Sequence, residues 1–290
     1  MSALQLNSHT KTDAPIGIFD SGIGGLSIAL EVMQHLPQER ILYYADSKNV
    51  PYGNKTDQEI RDLTAQALAW LYEKGCKLAI VACNTASAFS LEPLRQHYGD
   101  LFPIIGLVPA VKPAVIHSQS KTIAVLATPA TFRGKLIRQV IADFAQPAGV
   151  TVLPITCADL VPIIERGQIG DPITAQLLQQ ILQPAIDAGA DHLVLGCSHY
   201  PFLKPILNNI FPNLVLIDSG QAVSRQCGRV LAQFNLQNNA PSNTKDKIIC
   251  VFSGDNSDIM RQNIHNFVKN ITDWQFINRC DFAKIENLYT

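Results

Sequence analysis

Two cysteines that each follow a short apolar run are the first candidates for chemistry in this chain. Cys83 and Cys197 both come after strand-like segments, and we expect a helix to begin near each thiol. A helix N-terminus stabilises a thiolate, and a nearby imidazolium lowers the thiol pKa further, from ~8.5 towards neutrality. His199 lies two residues after Cys197, and Asp20 ends another apolar run, so each is a candidate partner for one thiol.

Two such thiols suggest proton transfer on both faces of one carbon atom. One sulfur removes a proton as thiolate while the other delivers a proton from behind, which inverts the centre. The residues therefore favour racemisation. Two rivals stay open, because a Cys–His hydrolase needs only one thiol and because Cys197 and His199 could be two ligands of a metal site. Structural roles are also open, for Asp20 as a helix N-cap and for His199 as a core or surface histidine.

Hydroxyl and amide side chains follow the same apolar runs. Such groups hydrogen-bond the carboxylates and the ammonium group of a small zwitterion without fixed positive charge. Each gives weak support alone, because Ser, Thr and Asn are also favoured at helix N-caps and turns. Our preferred interpretation of the segment 50–53 is a surface loop, and the alternative is a turn whose Tyr52 closes a pocket. The candidate polar residues are Ser21, Asn84, Thr85, Thr128, Thr131 and Ser198.

Short apolar runs alternate with helical patterns along the chain, which is typical of parallel sheets with right-handed crossovers. Gly75 precedes Cys83 by eight residues and Gly189 precedes Cys197 by eight, which indicates two repeated units. The alternative is that all strand–helix units look alike. We predict an α/β fold of two similar lobes, each a mainly parallel sheet flanked by helices, with the active site in the cleft between them.

The two lobes are expected to divide the chain unequally. The apolar run Ile248–Phe252 is predicted to be a late strand that completes the first lobe, which makes that lobe discontinuous. The polar segment 235–247 is predicted to be a surface loop or linker. The predicted ranges are 14–108 with 218–290 for the first lobe, 109–217 for the second, and 1–13 for a flexible extension.

Composition and charge exclude several classes of protein. The 290 residues are 47% hydrophobic and 16% charged, which excludes a disordered chain, a collagen-like repeat and a coiled-coil rod. Lys and Arg total 23 against 24 Asp and Glu, a net charge of −1, so no overall field attracts nucleic acid or an anionic membrane. We find no secretory signal and no membrane-spanning segment. A small, locally bound ligand is the better expectation.

The cysteine and glycine patterns exclude further kinds of site. Seven scattered cysteines without a CxxC pair argue against a disulfide framework and a structural zinc site, and indicate a reducing cytosol. Ser27 stands at the third glycine position of G-x-G-x-x-G, so a nucleotide-binding module is not supported. Most of the thiols are interpreted as small core residues. The seven are Cys76, Cys83, Cys157, Cys197, Cys227, Cys250 and Cys280.

Eight sequence blocks carry a resemblance to a known family. They are Gly-Ile-Phe-Asp-Ser-Gly-Ile-Gly-Gly (17–25), Ala-Asp-Ser (45–47), Pro-Tyr-Gly (51–53), Ala-Cys-Asn-Thr-Ala (82–86), Ala-Thr-Pro-Ala-Thr (127–131), Leu-Val-Pro-Ile-Ile-Glu (160–165), Gly-Cys-Ser-His-Tyr-Pro (196–201) and Ile-Asp-Ser-Gly (217–220). In this order they resemble the glutamate racemases of the cofactor-independent aspartate/glutamate racemase superfamily, over nearly the whole chain. Ser198 departs from the pattern, because the family usually has Thr there.

The resemblance implies a role for each candidate residue. Cys83 and Cys197 match the acid/base pair, and Asp20 and His199 match the residues that assist them. At Ser198 the hydroxyl is kept and a methyl group is lost, which affects pocket packing more than function. The positions matched to substrate binding are Asp20, Ser21, Tyr52, Gly53, Asn84, Thr85, Thr128, Thr131, Glu165, Ser198 and His199.

By the same resemblance the chain is an isomerase that interconverts L-glutamate and D-glutamate for peptidoglycan synthesis in a bacterial cytoplasm. No pyridoxal phosphate, other cofactor or metal is implied, so preorganised donors would have to stabilise the carbanionic transition state. We also expect a homodimer. A racemase of aspartate or another amino acid stays open, because the residues specify the α-carbon chemistry more closely than the side-chain length. A Cys–His amidase is the alternative from a different class.

Overall fold

Two parallel β-sheets flanked by helices make up the fold, which confirms the predicted α/β class. The structure is a computed structural model, and it describes residues 11–239, 248–253 and 285–287. Most of the predicted extension 1–13, part of the predicted linker 235–247 and Cys280 lie outside the described residues.

Every described strand pair is parallel. The first sheet has the spatial order Ile285–Asn287 (β10), Ile248–Phe252 (β9), Ile41–Ala45 (β2), Ile16–Asp20 (β1), Leu78–Val81 (β3) and Ile104–Gly106 (β4). The second has the order Thr151–Ile155 (β6), Thr122–Leu126 (β5), His192–Leu195 (β7) and Val215–Ile217 (β8).

The two sheets share one strand order, which confirms the predicted repeat. The order β2-β1-β3-β4 in the first sheet matches β6-β5-β7-β8 in the second. Gly75 and Gly189 each end a helix with a positive φ, 77° and 89°, and each donates its N–H to a carbonyl of the last helical turn. Glycine is favoured there because it has no Cβ to oppose left-handed backbone. Cys83 and Cys197 therefore leave the carboxyl ends of equivalent strands, β3 and β7.

Helices connect the strands, as the parallel pairing requires. The second helix begins with a reciprocal pair of hydrogen bonds, in which Thr56 Oγ1 accepts from Glu59 N (3.3 Å) and Glu59 Oε2 accepts from Thr56 N (2.8 Å). Within the described part of the chain, no helix has both the length and the apolar character needed to cross a membrane. The α-helices are Leu26–His35 (α1), Asp57–Glu73 (α2), Asn84–Tyr98 (α3), Val111–His117 (α4), Pro129–Arg133 (α5), Lys135–Val140 (α6), Leu160–Glu165 (α7), Pro172–Asp187 (α8), Lys204–Ile210 (α9) and Gly220–Gln233 (α10).

The apolar core extends across both sheets. One cluster of buried side chains contains Ile18 of β1 and Leu126 and Leu195 of the second sheet. All five residues of β1 are buried, which is expected of a central parallel strand covered on both faces. The carboxyl ends of β1, β3 and β7 are consequently held in fixed relative positions, and the candidate residues follow these ends.

A buried ion pair near the amino ends of the first sheet's strands joins four segments of the chain. Lys77 precedes β3 and Glu39 precedes β2, and their side chains are 1% and 4% exposed where they pair. Lys77 Nζ also donates to the carbonyl of Thr12 (2.7 Å), and Glu39 Oε1 accepts from the backbone N–H of Asn238 (2.9 Å). The pair therefore ties the chain before β1 and the chain after α10 to the sheet.

Removing one charge of this pair should destabilise the fold. Lys77→Met leaves Glu39 buried without its cation, so we expect the free energy of unfolding to fall by about 3 kcal/mol. Lys135→Met, at an exposed position of α6, is the control and should change the free energy by less than about 0.5 kcal/mol. Urea denaturation measures both variants. Equal midpoints for the two would contradict a stabilising role of the pair.

Candidate active site

Asp20 lies at the carboxyl end of β1 and organises the turn that follows. Its Oδ2 accepts hydrogen bonds from the N–H groups of Gly22 (3.2 Å) and Gly25 (3.0 Å), and its Oδ1 accepts one from Ser198 Oγ (3.1 Å). Gly25 is the N-cap of α1, so the interpretation of Asp20 as a helix cap is wrong. Burial raises the pKa of Asp20 to about 6, against the opposing effects of His199 and the Gly25 N–H.

Cys83 is the N-cap of α3, as predicted. Its Sγ accepts a hydrogen bond from the N–H of Ala86 (3.4 Å) and donates one to Ser21 Oγ (3.6 Å). The expected lowering of its pKa is wrong. Burial, followed by the charge of Asp20, raises the pKa of the Cys83 thiol far above its usual value and outweighs both hydrogen bonds. In this arrangement Cys83 holds its proton and suits a general acid.

Cys197 follows β7 and faces a histidine. The expectation of a helix N-terminus at Cys197 is wrong, because a turn separates it from a 3₁₀ helix, Tyr200–Leu203, that precedes α9. Its Sγ lies 3.8 Å from His199 Nδ1, and His199 Nε2 lies 2.5 Å from Glu165 Oε1. Burial lowers the pKa of His199, but the hydrogen bonds with Cys197 and Glu165 outweigh it and raise that pKa well above 6.5. An imidazolium in this position stabilises a thiolate.

Glu165 and His199 pack directly on the loop between β1 and α1. Glu165 Oε1 accepts a hydrogen bond from the N–H of Ile23 (2.9 Å). A Cβ at Gly22 would lie 2.0 Å from Glu165 Oε1, and a Cβ at Gly24 would lie 2.4 Å from His199 Nδ1 and 2.7 Å from its backbone N. Only glycine permits this close approach. The loop of the first sheet and the two side chains beyond it therefore form one closely packed contact.

Three threonines form a second polar cluster. The Oγ1 atom of Thr128 lies 2.9 Å from those of Thr85 and Thr131, and the last two are 3.2 Å apart. A Cβ at Gly53 would lie 3.0 Å from Thr128 Cβ, so Gly53 packs against this cluster. Thr128 also accepts a hydrogen bond from the N–H of Thr131 (3.2 Å) as the N-cap of α5. Its structural role at the helix therefore coexists with its place in the candidate site.

Tyr52 is 1% exposed, so its interpretation as part of a surface loop is wrong. Its hydroxyl donates to Asp46 Oδ2 (2.7 Å), and Asp46 Oδ1 accepts from Ser253 Oγ (2.6 Å). Sequence reasoning did not include Asp46 among the site residues. The signal was present, because Asp46 directly follows β2, beside the carboxyl end of β1 where Asp20 lies.

Asn84, directly after Cys83, presents an unused donor. Its Nδ2 is buried and has no hydrogen-bond partner among the described residues. Such a donor is costly to leave unpaired, so it is available to a ligand group. A second buried group of this kind is the hydroxyl of Tyr200, which sequence reasoning also missed.

The thiols are closed off from solvent, since Cys83 is 4% and Cys197 is 7% exposed. The charge of Cys197 contributes to raising the pKa of Cys83, so the two sulfurs lie within electrostatic range of each other. A cavity of about 600 Å³ lies elsewhere, beside α10, and contains none of the predicted site residues. Access of an amino acid to the thiols therefore requires the cleft to open.

The remaining described thiols lie in or against the core. None of the cysteines within the described residues forms a disulfide, and Cys76, Cys227 and Cys250 are buried, as predicted for core residues. Cys157 is half-buried and packs against the core. In the residues that the structure describes, no group of three or more His, Cys, Asp or Glu side chains is arranged to hold a metal ion.

Comparison with known proteins gives one consistent result. Residues 27–227 match the model of the Asp/Glu/Hydantoin racemase family. A glutamate racemase of Deinococcus radiodurans is 51% identical over 223 residues, which cover 77% of this chain and 76% of that protein.

Solved structures agree with this match. The glutamate racemase of Francisella tularensis in complex with D-glutamate superposes with a TM-score of 0.79 at 28% identity, over 96% of this chain and 98% of that one. The Escherichia coli glutamate racemase in complex with L-glutamate and the activator UDP-MurNAc-ala gives 0.75 at 30% identity, over 88% and 95%.

The close contact at Gly24 can be tested by adding one carbon. Gly24→Ala would push its Cβ into the ring and backbone of His199, so we expect the free energy of unfolding to fall by about 2 kcal/mol. Gly170→Ala is the control, because its Cβ would meet nothing within 4 Å. Urea denaturation of both variants gives the comparison. A Gly24→Ala variant as stable as Gly170→Ala would show that the loop and His199 are not in contact.

The buried charge of Asp20 should make stability depend on pH. Its folded pKa of about 6 lies above its ordinary 3.8, so its contribution to stability is full below pH 3.8 and is lost as the pH rises through 6. Asp20→Asn removes the charge while its amide oxygen can still accept from the two glycine N–H groups. We therefore expect this variant to be more stable than the parent at pH 8, by about 3 kcal/mol.

The gain should shrink as the pH falls from 6 to 4, when the parent carboxyl becomes protonated. Chemical denaturation at several pH values measures this difference. Asp100→Asn, at an exposed position, is the control and should show no such dependence. A stability difference for Asp20→Asn that is constant from pH 4 to 8 would contradict the raised pKa.

Proposed function

The chain belongs to the Asp/Glu/hydantoin racemase family and acts as a glutamate racemase, and we propose that it inverts the α-carbon of glutamate through two thiols. Cys83 and Cys197 are the proposed acid and base. The observation that carries this proposal is that two buried thiols leave equivalent strands of two repeated sheets, each with a different charged neighbour. Asp20 is the neighbour of Cys83, and His199 is that of Cys197.

The electrostatic difference between the thiols sets their roles in one direction of the reaction. Cys197, beside the His199 imidazolium, removes the α-proton as a thiolate. Cys83, whose proton is held by burial and by Asp20, delivers a proton to the opposite face of the carbon. The reverse reaction begins from the opposite protonation state of the two thiols. Glu165 supports the first half-reaction by keeping His199 protonated.

Preorganised donors have to stabilise the charge that develops on the substrate's α-carboxylate. Asn84 Nδ2 is a buried donor, and the hydroxyls of Ser21 and Thr85 lie on the same side of the site, around Cys83. We assign these three groups to the substrate. Their hydrogen bonds are stronger in a closed cleft because water no longer competes for them.

Glutamate is the proposed substrate in preference to aspartate. Two similar proteins were solved with D-glutamate and with L-glutamate bound, which supports the five-carbon amino acid. We also propose a cytoplasmic location, because thiols that act in acid–base chemistry must stay reduced. A homodimer is a further prediction, and light scattering of the purified protein tests it. D-Glutamate is then the product available to peptidoglycan synthesis.

Replacing either thiol should stop racemisation without unfolding the protein. We expect Cys83→Ser and Cys197→Ser each to lower the rate by about 10³-fold or more, because a hydroxyl is too weak an acid and base for this step. The rate is measured from the change in the circular dichroism of glutamate as the L form is converted, starting from the same L-glutamate concentration for each variant. Cys157→Ser, a thiol outside the site, is the control. The assignment is wrong if both site variants keep a rate close to that of the parent.

A second measurement separates racemisation from hydrolysis. In deuterium oxide with no added cofactor, L-glutamate should give D-glutamate that carries deuterium at the α-carbon. A Cys–His amidase would leave L-glutamate without deuterium at the α-carbon, because it acts on an amide, from which it forms a thioester and releases an amine or ammonia. Elimination from a β-chlorinated glutamate should persist in at least one of the two serine variants, since loss of the leaving group needs proton removal on one face only.

A further inference from the structure

Each turnover by the two-thiol mechanism leaves the free protein in the wrong protonation state for the next one. When Cys197 has taken the α-proton and Cys83 has given up its own, the site holds a Cys197 thiol and a Cys83 thiolate. A second turnover in the same direction requires a proton to return from one sulfur to the other. The inference drawn below rests on the proposed function, because it concerns this return step.

Ser198 lies between the residues that accompany the two thiols. Its Oγ donates a hydrogen bond to Asp20 Oδ1 (3.1 Å) and lies 3.4 Å from His199 Nδ1. The same Nδ1 atom lies 3.8 Å from the sulfur of Cys197. A hydroxyl can accept one proton while it donates another, which neither a methyl nor a methylene group can do. The contacts therefore form a continuous line from Cys197 through His199 and Ser198 to Asp20.

We propose that Ser198 relays the return proton from the Cys197 side of the site to the Cys83 side. The His199 Nδ1 proton passes to Ser198 Oγ as the hydroxyl proton passes to Asp20 Oδ1, and the Cys197 thiol reprotonates Nδ1. Asp20 then gives its proton to the Cys83 thiolate, which lies on its side of the site, because the Cys83 sulfur is 3.6 Å from the hydroxyl of Ser21, the residue next to Asp20. The net change is one proton moved from Cys197 to Cys83. His199 ends as the cation and Asp20 as the carboxylate, as both began, so protons and charge balance.

Three further observations support a route through side chains. Ser198 is 3% exposed and both thiols are nearly as buried, so the closed site offers the returning proton little contact with solvent. Asp20 has a pKa of about 6, so it can hold a proton briefly near neutral pH. The high pKa of Cys83 makes that thiol the favoured final position.

The return step can be measured apart from the chemical step by tracer perturbation. Labelled glutamate is first brought to racemic equilibrium, and an excess of unlabelled L-glutamate is then added. The label moves transiently away from equilibrium when the return step is slower than turnover. The readout is the substrate concentration that gives half of the maximal perturbation, divided by KM for the same variant. This ratio corrects for any substrate contact that a substitution changes.

Three variants isolate the effect of the Ser198 hydroxyl, and two of them, with Thr and with Val at this position, have the same shape as each other. Ser198→Thr keeps the hydroxyl and Ser198→Val replaces it with a methyl group in the same shape, while Ser198→Ala removes it without adding volume. We expect the ratio to fall at least tenfold in Ser198→Val and Ser198→Ala, and to stay within twofold of the parent in Ser198→Thr. Any of the three variants that folds can be compared with the parent on this scale.

The relay is overturned if Ser198→Ala or Ser198→Val racemises glutamate with the parent ratio. It is also overturned if Ser198→Thr shows the same fall as Ser198→Val, since shape and not the hydroxyl would then be responsible. Neither outcome contradicts the two-thiol proposal, because that proposal is tested separately and is wrong if the cysteine variants stay active. A variant that loses deuterium exchange at the α-carbon along with racemisation assigns Ser198 to the chemical step and likewise overturns the relay.

Discussion

The buried carboxylate of Asp20 constrains the rest of the site. A charge without solvent must be met by donors, and here the glycine N–H groups of its own turn and the hydroxyl of Ser198 provide them. On the outer face of this turn, Glu165 and His199 leave no room for a Cβ at Gly22 or Gly24. On the same face, Glu165 Oε1 accepts a hydrogen bond from the N–H of Ile23 (2.9 Å). The turn that Asp20 organises is thus linked to the second sheet near the thiols by the Asp20–Ser198 and Ile23–Glu165 hydrogen bonds.

Repetition and asymmetry have separate origins in this molecule. The shared strand order gives the two thiols equivalent backbone positions. One follows the carboxyl end of β3, which lies beside β1, and the other follows that of β7, which lies beside β5. Their chemistry differs because the neighbours differ: Cys83 meets a carboxyl group, and Cys197 meets a histidine that a glutamate keeps protonated. A carboxylate favours the thiol form and an imidazolium favours the thiolate. Equivalent positions with opposite neighbours give one acid and one base.

Prediction from sequence succeeded where the signal was local. The continuous apolar runs and the glycines eight residues before each thiol located the strands and the repeat. The sequence did not predict β6, because this strand is half-exposed and contains Pro154, so it has no continuous apolar run. The pKa of Cys83 was misjudged for a different reason. Its helix N-terminus is visible in sequence, whereas the burial that outweighs the helix depends on residues far away in the chain. The burial of Tyr52 was missed likewise.

Exclusion of water links the catalytic problem to the fold. An α-proton is weakly acidic, and only a site without competing water makes hydrogen bonds to the developing carbanion strong enough to matter. The same exclusion removes the solvent that would otherwise reset the two thiols between turnovers. The site opens to release each product, and once the free protein has closed again, side chains have to carry a proton that moves between the two thiols. The line of contacts from Cys197 to Asp20 supplies an internal route, and it exists because the Asp20 carboxylate is bonded to the second sheet through Ser198.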